Sequence, residues 1–180
     1  LGNGKLGLMI YKEPGKNYLR LETGNCDVHD HRTKRDVFGI PRLLTGHFAL
    51  HPKGKIINGT MHLDLWNAEV STDITTTKGV IHLRSFVHAD EMMIIVKATT
   101  EGDEHDFQWE WIAAEANSPR YLIFKRQGKA NKIPKDYELN PTAKISNEKE
   151  VNLSVQKLLA GGETSIGKKL IRLKKSALCG

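Results

Sequence analysis

The sequence predicts an all-β fold, an antiparallel two-sheet sandwich with little helix, and two observations carry that expectation. Apolar and polar residues alternate with a period of two along much of the chain, the spacing of a half-buried strand. Turn-forming clusters punctuate these runs at short intervals, without the strand–helix alternation that marks a parallel sheet. The length agrees, since 180 residues can enclose a proper core within one domain.

Residues 6–11, 18–22 and 46–51 read as the first strands, set off by Pro14-Gly15 and Pro52-Lys53-Gly54. Met61, Leu63 and Leu65 then alternate with His62, Asp64 and Trp66, which places three apolar side chains on one face. In residues 80–88, Ile81, Leu83 and Val87 fall together. Ala89-Asp90-Glu91 connects this run to a β-branched stretch over 92–100. Glu101-Gly102-Asp103-Glu104 supplies the next turn, before Phe107, Trp109 and Trp111 alternate with Gln108 and Glu110. Loops of about 3–6 residues join these last three runs, which predicts an antiparallel meander. The shared alternation further predicts burial of Leu63, Leu65, Ile81, Leu83, Ile94, Val96, Trp109 and Trp111. One more strand is expected over 151–158, and a long polar, lysine-rich loop over 119–141, where Gly128 and Pro134 interrupt any pattern.

Charge is unevenly distributed. Residues 1–120 hold 14 Lys and Arg against 16 Asp and Glu, while residues 121–180 hold 13 against 5. The net charge of +6 therefore belongs to the last third, whereas most of the aromatic residues lie with the acids in the first two thirds. A nucleic-acid surface needs cations interleaved with stacking rings, so no nucleic-acid partner is expected. No run approaches the roughly 18 apolar residues of a membrane-spanning helix. Cys26 and Cys179 are too few and too far apart for a disulfide scaffold or a paired zinc motif. These features predict a β-sandwich domain over 1–165 and a basic tail over 166–180. The tail's composition admits either a short amphipathic helix or an ending foreign to the domain.

Few residue groups suggest chemistry. Gly2, Gly4 and Gly7 open the chain and lead into a strand, whereas a dinucleotide loop follows a strand and opens a helix, so no cofactor is expected. The cluster Asp27, His29, Asp30, His31 and Arg32 is dense in charge and imidazole. Its residue types suit a solvated loop first, contact with sugar hydroxyls second and metal third, and no metal is expected. Glu110, between Trp109 and Trp111, points to the opposite face from both rings and has no evident second carboxylate, Asp64 and Glu115 being the open alternatives. No catalytic residues are therefore expected in this chain. Trp66 is the aromatic whose exposure separates a sugar-binding module from a scaffold.

Several of these stretches resemble one enzyme family. Leu1-Gly2-Asn3-Gly4-Lys5-Leu6-Gly7-Leu8-Met9 is similar to the opening of the N-terminal domain of glycoside hydrolase family 95 and related bacterial glycosidases. Cys26-Asp27-Val28-His29-Asp30-His31-Arg32 resembles the acidic loop that follows, with His29 where that loop carries an aromatic. Gly46-His47-Phe48-Ala49-Leu50, Asn67-Ala68-Glu69 and Leu158-Leu159-Ala160-Gly161-Gly162-Glu163-Thr164 resemble its later strands and a closing turn. The resemblance implies a β-supersandwich that packs against a separate catalytic (α/α)6 barrel of the same parent protein. It also implies a periplasmic or secreted location and an oligosaccharide as a candidate ligand. On this basis the chain is expected to be a truncated accessory domain, with Asp27, His29, Asp30, His31, Arg32 and Trp66 at a ligand or domain junction.

Overall fold

The structure, a computed structural model, describes residues 1–29, 42–147, 151–158 and 167–174. In chain order the elements are β1 (Leu6–Lys12), β2 (Leu19–Asn25), β3 (Gly46–His51), β4 (Ile56–Asp64), β5 (Glu69–Thr76), β6 (Gly79–Val87), β7 (Ile94–Gly102) and β8 (Gln108–Ala113). Helix α1 (Pro119–Arg126), a 3-10 turn (Ala130–Lys132), β9 (Lys144–Asn147), β10 (Val151–Leu158) and β11 (Gly167–Lys174) complete the order. The protein is an all-β sandwich, with two antiparallel four-stranded sheets and a smaller sheet. Two compact units divide the chain, one formed by Leu1–Cys26 with Gly46–Ile112, the other by the described parts of 27–45 and 113–180.

In the first unit the sheets run β1-β2-β3-β8 and β4-β5-β6-β7. Alternation decides which side chains meet. Along β2, Leu19, Leu21 and Thr23 are buried while Arg20 and Glu22 take the opposite face. Along β6, Ile81, Leu83 and Ser85 turn inward. Leu8, Leu19, Leu21 and Leu50 from one sheet thus pack with Ile74, Ile81 and Leu83 from the other. Each such burial contributes about 1.5–3 kcal/mol before the entropy of ordering is subtracted.

Three expectations are corrected in this unit. The predicted meander stops at β7, because β8 crosses to the other sheet and lies beside β3. Gly102, with a φ of 70°, ends β7 in a left-handed turn. The fully buried carboxylate of Glu104 then accepts the backbone N–H groups of Lys53 (2.9 Å) and Gly54 (2.8 Å) and the hydroxyl of Thr76. That anchor ties the connection to the turn between β3 and β4, where β8 enters.

Strand β5 was not expected at all. Its buried positions are Val70, Thr72, Ile74 and Thr76, and two threonines among them hide the alternation from a polar–apolar pattern. The third correction concerns burial. Ile81, Leu83 and Trp111 are buried, and Ile94 and Val96 are partly so, against the core. Leu63, Leu65 and Trp109 are not. Leu63 shares the inner face with Val70, its partner on β5, but β4 is an edge strand and Leu63 stays 51% exposed. Leu65 lies beyond β4 in the turn, and Trp109 sits on the short edge strand β8.

The second unit holds the sheet β11-β10-β9 and α1. Its apolar cluster is Val28, Leu43, Ala116 and Leu158. The stretch 119–141, expected as a loop, contains α1. Pro119 starts the helix with its φ already fixed, Lys125 and Arg126 sit favourably in its last turn, and Gly128 (φ 68°) closes it. The rest is held by side chains: Asn140 Nδ2 donates to the Ala116 carbonyl at 2.6 Å, and Tyr121 and Tyr137 stack at 5.2 Å. Part of the basic tail forms β11, paired with β10 from Val151↔Lys174 to Leu158↔Gly167.

Candidate functional site

The tip between β4 and β5 is the most unusual surface among the described residues. Trp66 is 95% exposed and its neighbour Leu65 83% exposed. Large apolar side chains scatter singly over ordinary surfaces, but a nearly naked tryptophan beside a leucine on a rigid turn is a different matter. The rigidity comes from Asp64. Its Oδ1 accepts the backbone N–H groups of Trp66 (2.9 Å) and Asn67 (3.0 Å), and its Oδ2 accepts Asn67 Nδ2 at 2.7 Å. These bonds, led by the Asn67 carboxamide, hold the Asp64 carboxyl below its usual pKa. Ala68 follows with a φ of 52°, a conformation that few non-glycine residues adopt. The turn therefore presents Trp66 on a backbone fixed by hydrogen bonds among Asp64, Trp66 and Asn67 and by an adjacent left-handed alanine.

Polar groups spread from this tip across the outer face of the same sheet. Arg84 pairs with Glu69, and His82 Nδ1 lies 2.7 Å from Asp73. The Asp73 hydrogen bond raises the His82 pKa above its ordinary value. This surface combines an apolar ring with carboxylates, a guanidinium and amides at its margin. Such a combination suits a sugar, whose C–H face stacks on a ring while its hydroxyls seek polar partners.

A second polar cluster lies on the outer face of β1-β2-β3-β8. Arg20 bridges Glu13 (3.0 Å) and Glu22 (2.6 Å), and the Tyr18 hydroxyl donates to Glu13 at 2.6 Å. Tyr18 and then Arg20 hold Glu13 below the ordinary carboxylate range, the opposite of what a general acid needs. Glu110 does point away from Trp109 and Trp111, and it meets His51 at 2.9 Å. His47 is buried on the same strand, and its desolvation lowers the imidazole pKa. Sequence reasoning missed this cluster, although the period-two spacing of Tyr18, Arg20 and Glu22 and of His47 and Ala49 through His51 is its signal.

The acidic loop is only partly seen. Asp27 is exposed, and His29 forms an isolated antiparallel bridge with Arg42, beside the buried Val28 whose carbonyl accepts the Leu43 N–H at 2.9 Å. Asp30, His31 and Arg32 lie outside the described residues. Trp66 belongs to the first unit and Asp27 and His29 to the second. Among the described residues no three His, Cys, Asp or Glu side chains gather as metal ligands. No helix among them is long and apolar enough to cross a membrane.

Fold and surface together define an all-β sandwich domain with a tryptophan-tipped hairpin. Compared with known protein families, curated proteins and solved structures, the chain matches none.

Proposed function

We propose that this chain is a non-catalytic accessory domain of a glycoside hydrolase in bacterial glycan degradation, and that it contacts oligosaccharide through Trp66. The observation that carries this reading is the 95% exposure of Trp66 on a hairpin fixed by Asp64. The turn's backbone is already fixed, so little backbone ordering entropy is lost when the exposed ring stacks on a ligand. His62, Asn67 and Arg84 stand on or beside the same hairpin and offer polar partners for hydroxyl groups. The family resemblance supplies the enzyme class, the periplasmic or secreted setting and the (α/α)6 barrel as partner.

Binding of the chain to an array of plant and host glycans, compared with its Trp66→Ala variant, tests the proposal. The expected result is a defined set of glycans bound by the parent chain, with affinity lost about tenfold or more in the variant. Equal binding by both, or none by either, contradicts it.

Leu65 favours a second reading. An aliphatic side chain 83% exposed beside Trp66 offers nothing to sugar hydroxyls and suits an apolar protein surface. In that reading the tip docks on the catalytic domain. Truncating Leu65 then weakens the domain contact and leaves glycan binding intact.

A further inference from the structure

We propose that β4 is the pairing edge of a two-fold homodimer, in which the β4 strands of two copies join antiparallel and fuse their sheets.

The other sheet edges of the first unit are protected. Residues at the chain's start cover the edge of β1: Leu8 N–H donates to the Leu1 carbonyl and the Leu1 ammonium to the Leu8 carbonyl, both at 2.9 Å, and Gly2 bridges Gly7. Strand β7 carries exposed Lys97 and Glu101, and β8 is six residues long with Glu110 at its centre. Charges, short strands and covering segments are the devices that keep edges from pairing. Among the described residues, β4 has none of the three over residues 58–63. It is nine residues long, it carries no Lys, Arg, Asp or Glu before Asp64, and it exposes Ile57, Met61 and Leu63. Its bulge lies at the Ile56/Asn58 end and leaves Asn58–Asp64 in regular register with β5.

The strand's own sequence selects a second copy as the occupant. A two-fold axis at Met61, the middle of the regular segment, sets Met61 against Met61, Leu63 against Gly59, Thr60 against His62 and Asn58 against Asp64. Leu63 then lies over a residue without a side chain. The Asn58 carboxamide can donate to the Asp64 carboxylate, and no like charges meet. Parity is preserved, so the inner face of Met61 and Leu63, shared with Val70 and Thr72, continues into the inner face of the partner sheet. Both half-exposed side chains gain apolar neighbours. Because the remaining edges of the first unit are protected, pairing through this unit closes at two copies rather than growing into a fibre.

The inference does not depend on sugar binding. Sedimentation equilibrium of the full chain over a dilution series tests it, alongside Met61→Lys and Thr60→Lys, two exposed positions whose variants are checked for an unchanged circular dichroism spectrum. The expected result is a concentration-dependent dimer for the parent chain. Met61→Lys sets two ammonium groups face to face and weakens the dimer about tenfold or more. Thr60→Lys does so less strongly, and decides the matter should Met61→Lys fail to fold. A parent chain that sediments as a monomer throughout, or folded lysine variants that dimerise as the parent does, overturns the proposal.

Discussion

Trp111 lies directly over Gly46, so closely that a Cβ on Gly46 would stand 2.6 Å from the indole ring and 2.6 Å from the Ile112 carbonyl oxygen. Gly46 also has a φ of 127°, which L side chains rarely adopt. One missing side chain thus lets β8 pack beside β3, with Phe48 and Trp111 in contact at 4.6 Å between ring centroids. Gly46→Ala is expected to destabilise the domain by about 2–4 kcal/mol, overpacking and backbone strain combined. Urea unfolding followed by tryptophan emission measures it. A loss below about 0.5 kcal/mol, the scale of an ordinary surface change, contradicts the packing argument.

Glu104 is a structural carboxylate. Both its oxygens accept, Oε2 from Lys53 N–H and Oε1 from Gly54 N–H and the Thr76 hydroxyl. Glu104→Ala strands these buried donors and is expected to cost about 3 kcal/mol or more. Glu104→Gln is also expected to destabilise, because an amide accepts at one end and donates at the other. Thermal unfolding of both variants checks this, and a fully stable Glu104→Gln would show that two-ended acceptance is not required.

Acid sensitivity is expected to start with His47. Burial holds its folded pKa below the ordinary 6.5. The unfolded chain therefore takes up a proton first as pH falls, and stability present above pH 6.5 declines below it. Glu13, Asp64 and Asp103 have lowered pKa values too, but their contribution is lost only as pH falls below the ordinary carboxylate range. His82 acts in the opposite sense: raised by Asp73, it stabilises below 6.5 and ceases to as pH rises through its folded value. Unfolding free energies across pH for the parent and His47→Leu separate these effects. The variant is expected to lose the decline just below neutral pH and keep the more acidic one. An unchanged profile would assign the decline elsewhere.

The sandwich was legible because β2 and β6 alternate and two of the three buried positions in each are Leu or Ile, namely Leu19, Leu21, Ile81 and Leu83. Where every second buried position is a threonine, as in β5, the same geometry weakens the hydropathy signal. Alternation also gives a face and not its cover: Leu63 and Leu83 both turn inward, but only Leu83, on a central strand, has a neighbour on each side. The departure of β8 to the other sheet rests on Glu104 fifty residues from Gly54, a pairing with no local signature. For the candidate site, Trp66 and its exposure were a stated discriminator, whereas the outer-face cluster around Arg20 needed the register of β2 and β3 to bring Glu22 opposite His47.

The most direct test of the sugar-contacting account is the tryptophan emission of the parent chain and of Trp66→Ala during titration with oligosaccharides. Trp111 is buried and Trp109 packs edge-on to Phe48 and Phe107, so the solvent-facing part of the emission comes chiefly from Trp66. The account predicts a saturable change in intensity for the parent chain and none for Trp66→Ala. A parent chain that stays flat across plant and host oligosaccharides, or a variant that responds as the parent does, would contradict it.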